Sequence, residues 1–173
     1  MFVQSGRHSK RRPFFLIAAA VVCVFSSSLL QHFFYQYLWR MLQIHPFRLK
    51  PGEDLKAGIE AYVQQHQLKA AFVLTCVGSL TQYHLRMADQ PKGEKKNGHF
   101  EIVSLVGTCS IHGSHVHLSI SNETGTTIGG HLLHECFVYT TAEIVLGEST
   151  EHVFVRENDG TTAWEELQVK TRQ

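Results

Sequence analysis

Hydrophobic and polar positions change rhythm several times along this chain. Phe14 to Leu30 form an almost unbroken apolar run, and an aromatic-rich stretch, HFFYQYLWRML, follows from His32 to Leu42. Residues 43–49 (QIHPFRL) alternate loosely and end at Lys50-Pro51-Gly52, a turn signal. Leu55, Ile59, Tyr62 and Val63 then recur at helical spacing. Glu53 and Asp54 stand at the start of that segment, where the positive end of a helix dipole favours acids. The pattern predicts a helix from about Glu53 to His66.

From Ala70 the pattern becomes that of strands. AAFVLTCVGSL reads as a buried strand ending in a Gly78-Ser79 break, with TQYHLRMA as its partner. Residues 91–98 (PKGEKKNG) read as a polar, solvated loop tip, and HFEIVSLVGTCSI as one or two strands broken near Gly107. HVHLSIS and TTIGGHL flank Asn122-Glu123-Thr124-Gly125, a hairpin turn. CFVYTTAEIVLGE predicts a long β-branched strand and HVFVRE a short one, while the tail from Thr161 fits strand or coil. One helix against at least six strands joined by hairpin-length connections predicts an α+β domain, a single antiparallel sheet covered by one packed helix. One helix cannot cover both faces of so much sheet, and an exposed apolar sheet face would favour association between subunits.

Composition divides the chain in two. Its 173 residues allow one ordinary domain and an extension, and 43% apolar content is enough for a core. The net charge of +1 excludes nucleic-acid-type basicity for the molecule as a whole. The cations are asymmetric, however: Arg7, Lys10, Arg11, Arg12, Arg40, Arg48 and Lys50 all precede the first acid, Glu53. Residues 1–43 therefore read as a basic head with a hydrophobic leader, 44–170 as the folded domain and 171–173 as a tail. The 14–30 run is near the lower limit of about 17 residues for a membrane-spanning helix. With its basic flank it predicts a single-pass membrane anchor, the aromatics after it suiting a membrane interface. A secretory signal or an organelle-targeting segment are the alternatives, and a leader without function would leave the protein cytoplasmic or nuclear. Cys23, Cys76, Cys109 and Cys136 lack C-x-x-C spacing, which predicts buried reduced thiols rather than a disulfide framework.

Five of the twelve histidines cluster: His112, His115, His117, His131 and His134. His115 and His117, two apart on a strand, share a face. With the turn centred near Glu123–Thr124, His117 falls opposite Gly130 or His131, and cross-strand neighbours have Cβ atoms about 5 Å apart. His115, His117 and His131 can thus converge as a three-histidine zinc site with an open fourth position. Gly129 and Gly130 would let the backbone bend there or a second chain approach, although a one-residue bulge would turn His131 to the other face. Ordinary surface histidines would give the same string. Glu123, Glu135 and Glu143 are candidate acid/base or supporting groups, and equally plain surface carboxylates. No nucleophile–base arrangement and no phosphate-binding glycine loop appears.

In order, FRLKPGEDL (47–55), VLTCVGSLTQYHLRMA (73–88), GHFEIVSLVGT (98–108), HVHLSIS (115–121), TTIGGHL (126–132) and CFVYTTAEIVL (136–146) resemble the PPC family (plants and prokaryotes conserved; domain of unknown function 296). The resemblance covers about 44–170. It implies an antiparallel sheet with a packed helix, assembled as a homotrimer. Plant members join this domain to AT-hook motifs and serve protein–protein contact. The basic head SGRHSKRRP lacks an AT-hook core, so DNA binding is not expected here. This chain keeps H-x-H and G-G-H and so resembles the stand-alone prokaryotic type, some of whose members look like metal binders. Arg86 matches a family position and would line the same cleft as Gly129 and Gly130, or equally serve in a structural ion pair. Two functions follow as expectations. One is a homotrimeric interaction or regulatory domain, with a protein partner and a three-histidine metal site. The other is a zinc-dependent enzyme of hydrolase or lyase type using metal-bound water.

Overall fold

The computed structural model describes residues 41–173. In chain order these form β1 (Leu42–Leu49), α1 (Leu55–Gln65), β2 (Ala71–Arg86), β3 (Glu94–Ser110), β4 (Gly113–Ser121), β5 (Thr127–Leu132), β6 (Val138–Ser149), β7 (His152–Glu157) and β8 (Glu166–Thr171). This is the expected α+β arrangement, mostly antiparallel sheet with a single helix among the described residues. The helix begins after Asp54, whose Oδ1 accepts the Ala57 amide at 2.7 Å and satisfies one of the free N–H groups of the first turn. Asp54 Oδ2 also accepts the amides of Glu135 and Cys136, which fastens the helix start to the entry of β6. Leu55, Ile59 and Val63, at i, i+4 and i+8, form the buried stripe of α1. They join Leu80, Leu85, Leu118, Ile120, Leu132, Ile144 and Leu146 in one core.

Three strand boundaries differ from the pattern-based expectation. Gly78-Ser79 does not end a strand. β2 runs on through it, with register shifts against β6 between Gly78 and Leu80 and against β3 between Leu80 and Gln82. Gly78 takes φ 153°, and a Cβ there would stand 2.1 Å from the Thr141 carbonyl oxygen, so glycine lets two strands approach without breaking either. Residues 94–98, expected in a loop tip, already belong to β3, which passes unbroken through Gly107 to Ser110. The ambiguous tail forms β8 and pairs with β7 as a separate two-stranded sheet. That hairpin is pinned to the domain by Phe154, whose amide donates to the Lys69 carbonyl and whose carbonyl accepts the Ser110 hydroxyl, both at 2.7 Å.

The main sheet has the order β1-β6-β2-β3-β4-β5, and β5 returns to pair with the end of β2 through Leu85↔Leu132 and Arg86↔His131. Strands β2 to β5 therefore curl toward closure. Alternation along each strand sends Leu85, Leu118 and Leu132 to the core, and Arg86, His117 and His131 to the opposite face. Ile44, Val77, Val106 and Tyr139 share that uncovered face and are 43–60% exposed. Cys109 and Cys136 are buried and Cys76 half-buried, all as free thiols. Burial pushes the Cys76 and Cys109 thiols up to about 12 and Cys136 up to about 11, which keeps them protonated and unreactive at neutral pH.

The expectation of a membrane-anchored, single-pass protein is corrected. Among the described residues no helix is long and apolar enough to cross a membrane, and the 14–30 run on which the expectation rested lies outside them.

Asp54→Ala removes the cap and both bonds to the β6 entry. It is expected to destabilise the domain by about 2 kcal/mol, seen as a lower urea midpoint at unchanged m-value.

Candidate metal centre

The site is built on the β4–β5 hairpin. Asn122 Oδ1 accepts the amides of Thr124 and Thr126 at 3.1 and 2.9 Å, which fixes the turn. From it the pairing runs without a shift through Ser121↔Thr127 to His117↔His131. No bulge turns His131 away. His115, two residues back along β4, stays on the same face. The ligand atoms of His115, His117 and His131 all lie within 4.8 Å of one another. His115 Nε2 is 3.2 Å from His117 Nε2, and the ring centroids are 5.0 to 5.7 Å apart.

Protonation and hydrogen bonding both suit a metal ion. Burial first, then the Arg156 and His117 charges, lower the His115 pKa below the usual imidazole value. Burial, followed by His115, brings His131 down to about 4. These two rings are neutral at pH 7 and have a lone pair to offer. His131 Nδ1 is buried and has no hydrogen-bond partner among the described residues, the state of a donor atom kept for something other than protein. Three imidazoles with no fourth protein ligand among the described residues form a donor set that could hold a metal ion with a position left open.

The site opens on a cleft of about 660 Å³, whose walls include Arg86, His112, His115, His131, Arg156 and Trp164. Arg86 stands opposite His131, because β5 closes on the end of β2 there. Its guanidinium carbon lies 5.7 Å from the centre of the Trp164 ring, a cation–π contact. Arg156 comes from β7, and its Nη2 donates to Thr108 Oγ1 at 2.7 Å. Glu166, the first residue of β8, also lines the cleft, and its charge acts on His115. Gly129 and Gly130, expected as cleft-lining positions, are not among the lining residues. Gly130 instead permits the closure, since a Cβ there would meet the Arg86 carbonyl oxygen at 2.7 Å.

The other histidines and acids go elsewhere. His134 Nε2 pairs with Glu60 at 3.3 Å, and Glu60 also accepts the Ser114 hydroxyl at 2.8 Å. Glu135 is engaged by Lys95, whose hydrogen bond lowers its pKa, and lies 3.7 Å from His84 Nδ1. Glu123 is in the exposed turn, and Glu143 stands opposite Val77 on β2. None of the three lines the cleft. Arg156, Trp164 and Glu166 were missed by pattern. HVFVRE signals a strand but not its destination, and the tail offers too little periodicity to place Trp164 or Glu166.

The model of the Plants and Prokaryotes Conserved (PCC) domain matches residues 39–150. The chain belongs to this family. It is the family named PPC above, and the match stops just before β7, so the C-terminal hairpin lies outside it. The PCC-domain chain is 44% identical over 129 residues to a bifunctional protein GlmU from Synechococcus sp. (strain JA-3-3Ab). That alignment covers 75% of this chain and 21% of the relative, so the chain spans about a fifth of its length. A hypothetical protein from Salmonella has 37% identity and a TM-score of 0.76, over 78% of this chain and 97% of its own. A protein from Archaeoglobus fulgidus described as metal-containing shares the fold, with 24% identity and a TM-score of 0.62 over 73% and 93% of the two chains.

Gly130→Ala forces β5 away from β2. It should cost on the order of 1–3 kcal/mol and shift the His131 imidazole resonances in ¹H–¹³C spectra. Gly129→Ala, whose Cβ would come no nearer than 3.2 Å to the Leu118 carbonyl oxygen, should change both less.

Proposed function

We propose that this PCC-domain protein is a homotrimeric interaction or regulatory module that binds zinc through His115, His117 and His131. The observation that carries the metal assignment is the convergence of three imidazole ligand atoms within 4.8 Å on one uncovered sheet face. The neutral state of His115 and His131 supports it, because no proton has to leave them on binding. The metal-containing neighbour from Archaeoglobus agrees in kind. Three nitrogen donors with an open position suit zinc, for which imidazole is a common ligand and tetrahedral geometry carries no penalty. When bound, the ion would supply a Lewis-acidic position facing the cleft.

The homotrimer reading rests on the exposed apolar side chains of Ile44, Val77, Val106 and Tyr139, which α1 does not cover. The presence of the same domain as about a fifth of a larger bifunctional protein supports a module used in more than one setting.

A zinc-dependent enzyme of hydrolase or lyase type is the second reading. The observation that favours it is Glu166 on the cleft wall within electrostatic reach of His115. A carboxylate so placed can accept a proton beside the open position.

Elemental analysis of the purified full-length chain should find about one zinc per chain, lost on His117→Ala. Metal-free wild-type protein after zinc exposure would refute the assignment. Light scattering should give three times the chain mass, and a monomer would refute the trimer.

A further inference from the structure

Two guanidiniums converge on the cleft beside the histidines with no carboxylate holding them. Among the described residues neither Arg86 nor Arg156 makes a salt bridge. Arg86 has Trp164 across its face, and Arg156 is steadied by Thr108 and feels the Glu166 charge without forming an ion pair with it. Glu165 and Glu166 are also in the wall; Glu166 Oε1 accepts the Thr162 hydroxyl at 2.8 Å, and its charge acts on Arg156 and His115. With a divalent ion on the histidines, the ion and two arginines outweigh these two acids. A concave, positively charged site with planar fork donors fits a carboxylate or a phosphate.

We infer that the cleft binds a small molecule through an oxyanion group, gripped between Arg86 and Arg156 and facing the open position of the three-histidine site. The C-terminal hairpin β7–β8 supplies the second wall. This rests on the metal reading given above. Arg86 comes from within the family region, whereas Arg156, Trp164 and Glu166 come from residues after its match at 150. The hairpin therefore makes the cleft particular to chains that carry it. A ligand with a flat apolar portion beside its oxyanion would also meet the Trp164 indole, which is 68% exposed at the rim.

The test uses the zinc-loaded full-length chain, titrated calorimetrically with inorganic phosphate and with succinate. Zinc content is measured on every sample. At least one probe should bind with a dissociation constant in the millimolar range or tighter. Arg86→Met and Arg156→Met should each weaken it about tenfold or more at unchanged zinc content. Tighter phosphate assigns a phosphoryl group, and tighter succinate a carboxylate. If Arg156→Met disturbs the hairpin and loses zinc, Arg86→Met decides, because among the described residues that side chain makes no hydrogen bond or ion pair and only stacks on Trp164. Wild-type chain that takes up no zinc sinks the metal site and this proposal with it. Zinc-loaded wild type that binds neither probe, or binding unchanged in Arg86→Met, overturns the oxyanion site and leaves the metal site standing.

Discussion

The pairing of Leu85 with Leu132 and of Arg86 with His131 is the constraint on which the rest of this molecule depends. It brings the last strand of the main sheet back to the end of β2 and sets which face each residue of β5 presents. With Leu132 in the core, His131 must lie outside it, beside Arg86 and across from His117. A slip of one residue would bury the imidazole and expose the leucine, at a cost of several kcal/mol from the lost apolar burial and an unsatisfied buried ring. The core therefore holds the ligand geometry. Gly130 makes the close approach of the two strands possible, and Asp54 locks the helix start to the chain that leaves β5 and enters β6.

The same arrangement explains why the histidines have the properties they do. They sit on the face α1 does not cover, yet the cleft walls remove enough water to depress His115 and His131. Positive charge from Arg86 and Arg156 acts in the same direction on His115. Burial is the larger cause on both rings, Arg86 adds to it on both and Arg156 on His115, and these two guanidiniums are also the groups proposed to receive an anion.

Much of this was legible in the sequence, for identifiable reasons. The helix stripe of Leu55, Ile59 and Val63 and the turn at residues 122–125 are local patterns, and a turn's position fixes the register of its hairpin. His117 was accordingly expected opposite Gly130 or His131, and it lies opposite His131. The return of β5 to β2 is a contact between residues more than forty positions apart, and no local period encodes it. Gly78 looked like a strand end because glycine marks both breaks and close approaches, and composition cannot tell them apart. Arg156, Trp164 and Glu166 reach the cleft only because Phe154 ties the hairpin to Lys69 and Ser110, a tertiary event invisible in HVFVRE. The membrane anchor failed for a different reason: it was drawn from hydropathy in the leader, and the domain provides no spanning helix among the described residues.

The central claim is that three imidazoles on one hairpin form a metal site. Anomalous diffraction at the zinc edge, from crystals of the full-length chain grown with zinc, tests it most directly. A single strong peak is expected about 2.0–2.1 Å from one ring nitrogen of each of His115, His117 and His131. No peak there, or a peak bound instead at His134 and Glu60, would contradict it.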